Sequence, residues 1–278
     1  MNVDKLIKDT EILYPKYVPS YKPGIELITP IIFKGIVKQT PAFYKWTIDR
    51  VLSLNSESKI FYTRYDPFIK AQYWQQCLIN SYESNANEIL SRIKNNQFQN
   101  YAIEESDAIF ADNDILFQEL TENNPFISES DIKSYNPSFW YAPNNRVVDL
   151  HVDYTSLVLF QLQGEKTVRL IPPEQKKYLK TVPEEKVSKF CRHLNFDPIH
   201  YAHEVKHTQW CEFKCFESDK SDSERNIQGY QVKLAPGDAI LIPDKWWHAT
   251  INHSSSLASN VFFLKDKVDW NKIDKFYE

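Results

Sequence analysis

His151, Asp153 and His248 are the residues whose types and spacing could do chemistry together. The β-branched run VVDLHVDYTS reads as a strand, and on a strand residues two positions apart leave the same face. An imidazole and a carboxylate on one face can converge on one ion. A second imidazole from a distant strand would complete a facial triad that leaves ferrous iron open positions for a cosubstrate and oxygen. His248 is the candidate for that imidazole. It follows APGDAILIPDKWW, in which Pro236, Gly237 and Asp238 make a turn, AILIP makes a short buried strand, and Trp246 and Trp247 put aromatic bulk beside the histidine. A His-x-Asp pair on a strand is a weak motif by itself and is more often a solvated or capping pair, so the surrounding elements carry the decision.

Those elements change character along the chain. The first forty residues are punctuated by Pro15, Pro19, Pro23 and Pro30 until Ile31-Ile32-Phe33, a first strand. PAFYKWTIDRVLSL follows with Phe43, Trp46, Ile48, Val51 and Leu52 spaced for one buried helical stripe, and SKIFYTRYD reads as a strand. Residues 68–95 carry helical patterns separated by the polar SYESNANE; QFQNYAIEES and DNDILFQEL then suggest a strand and a helix. From 139 onward FWYAP, VVDLHVDYTSLVLFQLQ, KTVRLIPP, GYQVKLAPGDAILIP and ASNVFFLKD are strand runs separated by Gly, Pro and Asn turns. Helices first and consecutive strands later argue against a parallel βαβ sheet and for an antiparallel barrel or sandwich with an N-terminal helical elaboration. The expected organisation is one domain over 1–278, with the elaboration at 1–138, the β core at 139–265 interrupted by a polar insert at 174–230, and a tail at 266–278.

The 278 residues, 42% hydrophobic and 25% charged, are long enough to bury a sizeable core, and the 14% aromatic share fills it with large flat side chains. Lys and Arg number 33 against 37 Asp and Glu, a net charge of −4 that gives no general attraction to nucleic acid. No apolar run has the length of a membrane span and the start lacks a signal peptide's apolar stretch, so a soluble intracellular protein is expected, in the cytoplasm or the nucleus. Four cysteines fit a reducing compartment better than a disulfide framework. Three of them lie in the insert, where Cys191, His193, His200, His203, His207, Cys211 and Cys215 could bind zinc. The spacing of His203, His207, Cys211 and Cys215 is equally that of one helix face.

Three blocks in order then make the chain resemble a known family. TPIIFKGIVKQTPAFYKW, HVDYTSLVLFQLQGEKTVRLIPPEQ and GDAILIPDKWWHATIN are similar to the opening, first-ligand and last-ligand regions of the cupin-like JmjC hydroxylases, over roughly residues 28–265 and nearest to the asparaginyl hydroxylase branch that factor inhibiting hypoxia-inducible factor represents. The resemblance implies a double-stranded β-helix (jelly roll) with N-terminal helices. It also implies an Fe(II)- and 2-oxoglutarate-dependent dioxygenase whose metal ligands are His151, Asp153 and His248. The family lysine for the distal carboxylate of 2-oxoglutarate falls on Lys166, and a strand lysine inside a barrel has a physical need for an anionic partner. Two further cosubstrate-binding positions fall on Asn260 and Tyr101. The sequence departs from the family at Val148, where a hydroxyl residue is usual, and at Leu157, where an asparagine is often found.

The implied substrate is a protein or peptide. N-methyl-lysine demethylation, RNA modification and a catalytically silent binding module stay open beside it, the last on the evidence of Val148 and Leu157. No membrane partner is implied, nucleic acid is not excluded, and the oligomeric state, a homodimer included, is open.

Overall fold

A run of strands joined by short turns either folds back as hairpins or winds between two sheets, and what decides is whether each strand has one face to bury or two. Here the chain winds. The computed structural model describes residues 7–9, 29–64, 81–106, 108–111, 113–127, 136–153, 155–183, 185–186, 208–212, 214–216, 227 and 229–263. Its first part holds β1 (Ile7–Asp9), β2 (Ile31–Phe33), the helices α1 (Pro41–Lys45) and α2 (Ile48–Leu54), β3 (Lys59–Arg64), β4 (Ser81–Asn85), α3 (Ala86–Lys94), β5 (Tyr101–Ser106), α4 (Ala108–Ala111) and α5 (Asp114–Thr121). Then follow β6 (Asn136–Ala142), β7 (Val147–Asp153), β8 (Ser156–Gln163), β9 (Lys166–Ile171), β10 (Thr208–Trp210), β11 (Gly229–Leu234), β12 (Ala239–Ile242), β13 (Trp247–Asn252) and β14 (Ser256–Phe263).

From β6 to β9 and again from β11 to β14 the chain crosses from one sheet to the other, with β11 following β9 in the same sheet. One sheet has the order β1-β11-β9-β13-β7-β10 and the other β2-β12-β8-β14-β6-β5-β3-β4. All pairings between these strands are antiparallel except that of β1 with β11. This is a jelly roll, a double-stranded β-helix with a helical elaboration, as the resemblance implies.

Alternation along the strands divides the apolar residues among three clusters. Leu159, Val168, Leu170, Val232 and Ile240 fill the space between the sheets. Phe160, Phe139 and Leu241, on the other face of the eight-stranded sheet, pack with Trp46, Ile89 and Leu116 of the helical part. Leu150, Ile171, Trp247 and Ala249, on the outer face of the six-stranded sheet, pack with Cys211 and Cys215 of the insert.

Three local expectations are corrected. The stripe from Phe43 to Leu52 is not one helix: Trp46 is extended (φ −79°, ψ 123°), and the Thr47 side chain starts α2 afresh by accepting from the backbone N–H of Arg50. The break buries the Trp46 indole and lets its Nε1 donate to Glu119 at 3.0 Å, a carboxylate that Arg50 also grips through both oxygens at 2.7 and 2.8 Å. Burial opposes that charge, and the hydrogen bonds from Arg50, Lys45 and Trp46 outweigh it, holding the Glu119 carboxyl below its ordinary range.

The polar spacer SYESN is the edge strand β4, whose Tyr82 ring stacks on Tyr62 of β3 at 5.6 Å; an edge strand accepts the polar residues a central one would not. Residues 208–210 form a strand against β7, so the approach to Cys211 and Cys215 is extended and not part of a helix face. No helix among the described residues is long and apolar enough to cross a membrane.

The passage from β8 to β9 turns at Gly164, whose φ of +74° favours glycine, and a Cβ there would run into the carbonyl oxygen of Ser255. Gly164→Ala is therefore expected to lower stability by about 2 kcal/mol in urea denaturation, adding backbone strain to a backbone clash. An unchanged midpoint would contradict this account of the turn.

Candidate metal centre

β7 lies between β13 and β10, and its register with β13 builds the site. His151 pairs with His248 and Val148 with Thr250, so Asp149 and Leu150 together stand against the single residue Ala249. This is a β-bulge. Regular alternation would send Val148 and His151, three apart, to opposite faces; the bulge turns both inward and sends Leu150 out into the insert-side cluster. Asp153, two beyond His151, follows it inward.

Nε2 of His248 lies 3.4 Å from Oδ2 of Asp153, and Nε2 of His151 lies 4.0 Å from the same oxygen. The three ligand atoms are all within 4.8 Å of one another, and the two imidazole centroids are 4.2 Å apart. A first-row divalent ion with bonds of about 2.1 Å holds adjacent ligands roughly 3–4 Å apart, a range that holds the 3.4 and 4.0 Å separations, while the widest would close by a small side-chain movement on the ion.

The other ring nitrogens are occupied. Nδ1 of His151 bonds the carbonyl of Asp149 at 2.8 Å, and Nδ1 of His248 bonds the carbonyl of Trp246 at 3.1 Å. A carbonyl can only accept, so Nδ1 carries the hydrogen in each ring and Nε2 presents its lone pair inward. Burial pushes the His151 imidazole down to about 4, against a small opposing effect of the Asp149 carbonyl. Burial and then the neighbouring His151 push His248 down to about 4, with Asp153 and the Trp246 carbonyl opposing. Both rings are neutral at pH 7, the form in which imidazole binds metal.

Around this triad the insert supplies Trp210, which the register sets directly opposite His151 with ring centroids 4.7 Å apart. Trp210 is not marked out by any motif, although the alternating TQW ahead of Cys211 has a strand's pattern. Of the zinc candidates, Cys191, His193, His200, His203 and His207 lie outside the described residues. Cys211 and Cys215 are buried in the outer cluster, and the Cys211 thiol donates to the Lys180 carbonyl at 3.3 Å. Among the described residues, the triad is the group placed to hold an ion.

Lys166 faces the interior on β9, four residues before Leu170, the partner of His248. It is 6% exposed and its side chain makes no ion pair or hydrogen bond among the described residues. Burial pulls its ammonium down to about 8, while the charge of Glu104 pulls the other way. Glu104 is itself clasped by the buried Arg146 at 2.8 Å through both oxygens, a pair that sequence patterns do not single out.

Asn260 is buried on the facing sheet, and its Oδ1 accepts from Trp140 Nε1 at 2.6 Å. Tyr101 is not brought to this group. Its ring packs with Tyr62, Tyr82 and Phe98 at 5.4–6.2 Å and against the helix-side core, and Glu104 is the β5 side chain that nears Lys166. Leu157 is buried among the apolar residues between the sheets.

Comparison with known proteins agrees with this geometry. The family model described as cupin-like domain matches residues 25–267. A stretch of 114 residues is 26% identical to HSPB1-associated protein 1 of Mus musculus. That match covers 40% of this chain and 20% of the relative, so the chain corresponds to a minor part of the relative's length.

The depressed imidazoles set a pH dependence for the metal-free protein. Their folded values near 4 lie below the ordinary 6.5, so on acidification the unfolded chain takes up protons first. Their contribution to stability is complete above about pH 6.5, falls between about 6.5 and 4, and levels off below that. Urea denaturation at a series of pH values should show the slope, and His151→Asn with His248→Asn should flatten it. An unchanged slope in the double variant would contradict the burial of neutral rings.

Proposed function

This chain belongs to the cupin-like domain family, and we propose that it is an Fe(II)- and 2-oxoglutarate-dependent dioxygenase that hydroxylates a protein side chain. The observation that carries the reading is the convergence of two neutral imidazoles, each held by a backbone carbonyl, on one carboxylate oxygen at 3.4 and 4.0 Å. Two histidines and a carboxylate that leave coordination positions open are the donor set of non-haem ferrous oxygenases. His151, Asp153 and His248 would hold the iron, and the bulge and the two Nδ1 bonds keep the histidines aimed inward.

Iron with 2-oxoglutarate and dioxygen, when bound, supplies an oxidation that puts one oxygen atom into a substrate C–H bond and the other into succinate, with loss of carbon dioxide. The chain's own residues bind and shield. Lys166, a buried cation, would pair with the distal carboxylate of the cosubstrate, a partner that repays its desolvation. Asn260 on the facing sheet would line the same space. The Trp210 ring against the His151 imidazole would limit water on that side of the site.

A polypeptide substrate is supported by the likeness to the asparaginyl hydroxylase branch, by the net charge of −4, which gives nucleic acid no general attraction, and by a relative whose name describes association with another protein. The polar insert beside His151 would form one wall of the groove. A silent binding module is the second reading, favoured by Val148 and Leu157, which offer no polar contact. Succinate release coupled to loss of 2-oxoglutarate separates the two. Oxygen-dependent mass gain in a peptide library, against a tRNA pool and a metabolite extract, identifies the substrate class; gain confined to RNA or metabolites would sink the protein-hydroxylase reading.

Asp153→Ala is expected to lose metal and turnover together, by more than the roughly 10–100-fold that loss of a ligand's supporting bond costs, while the thermal unfolding midpoint of the metal-free protein changes little. Undiminished iron content in that variant would end the assignment. Lys166→Ala should raise the 2-oxoglutarate requirement by about 10–100-fold, the worth of a charge-assisted bond, with metal affinity unchanged. An unchanged requirement would move the anchoring role elsewhere.

A further inference from the structure

A carboxylate has about four lone-pair sites, and one ammonium does not satisfy them. If Lys166 receives the distal carboxylate, other donors must face the same space. On β13 the side chains of Trp247 and Ala249 fill the outer cluster, so those of His248, Thr250 and Asn252 face inward. Asn252 stands opposite Lys166, and its amide reaches back toward the Pro143 carbonyl. Thr250 stands between the triad and the lysine, opposite Val168 on β9 and Val148 on β7. It is partly exposed, and its hydroxyl makes no hydrogen bond among the described residues. Both cross-strand neighbours are valines, so a partner for that hydroxyl has to come from the interior.

Lys166 lies four residues from the level of His248, about 13 Å along the strand, and Thr250 divides that span. We propose that the Thr250 hydroxyl, with Lys166, holds the distal carboxylate of the cosubstrate, supplying from β13 the contact that Val148 on β7 does not make. The inference rests on the 2-oxoglutarate reading above. It turns the absence of a hydroxyl at 148 into a transfer across one residue pair, and it removes half of the argument for a silent module.

The test is calorimetric and needs no turnover: the protein is loaded with Mn(II), which takes the same donors, and titrated with 2-oxoglutarate and with 2-oxobutanoate, which lacks the distal carboxylate. Thr250→Val should bind 2-oxoglutarate about 10–100-fold more weakly, the effect of one hydrogen bond to a charged group. Its affinity for Mn(II) and for 2-oxobutanoate should be unchanged, and Thr250→Ser should keep most of the binding. The double variant Val148→Thr with Thr250→Val, which moves the hydroxyl across the pair, should regain affinity over Thr250→Val. Full affinity in Thr250→Val, equal weakening toward both keto acids, Thr250→Ser binding no better than the valine variant, or no gain in the double variant would each overturn the role of Thr250 and leave the cosubstrate reading standing. Wild-type protein that takes Mn(II) but no 2-oxoglutarate would overturn the cosubstrate reading itself, and the Thr250 role with it.

Discussion

The register between β7 and β13 is the constraint from which the rest of the site follows. With His151 set opposite His248, two imidazoles from positions nearly a hundred residues apart share one face, and Asp153 joins them by strand alternation alone. A slip of one residue would turn either histidine outward into an apolar cluster that has no room for it, so Leu150, Trp247 and Ala249 enforce the site from the other side of the sheet. The bulge at Asp149 and Leu150 is part of the same device, because the carbonyl of Asp149 that it re-aims is the one that fixes the His151 ring.

The interior between the sheets is graded in polarity. Toward β11 and β12 it is closed by aliphatic residues, while between β7, β9 and β13 it holds the triad, Thr250 and a buried lysine. A buried cation with no ion pair among the described residues is costly, and Glu104 offsets only part of that cost because Arg146 already engages both of its oxygens. Such an arrangement suits the proposed pairing of the lysine with a cosubstrate carboxylate. It also explains why the β5 contribution comes from Glu104 and not from Tyr101, since the two lie on opposite faces of that strand.

Much of this was legible in the sequence, for identifiable reasons. His151 and Asp153 sit among the β-branched Val147, Val148 and Val152, and period two gives their common face directly; the turns around Gly164 and Gly237 mark strand ends that tertiary structure does not override. The corrections share a cause. The helical stripe through Trp46 is broken because a buried indole and Glu119 are better served by an extended residue there, an outcome set seventy residues away. SYESN has no strand pattern of its own and is ordered by pairing with β3. Tyr101 was assigned by resemblance, and only the side of β5 on which the helices pack decides where its ring goes. Trp210 could be tied to His151 only once the insert had been laid along β7.

On the proposed function, three side chains fixed by one strand pairing hold a ferrous ion that also takes 2-oxoglutarate. The most direct measurement is an anaerobic iron titration followed in visible absorption. One equivalent of iron per chain is expected, with a charge-transfer band that appears only when 2-oxoglutarate is added to the iron-loaded protein. Iron that binds at the triad with no such band would contradict the cosubstrate, and failure to bind an equivalent of iron would contradict the metal centre itself.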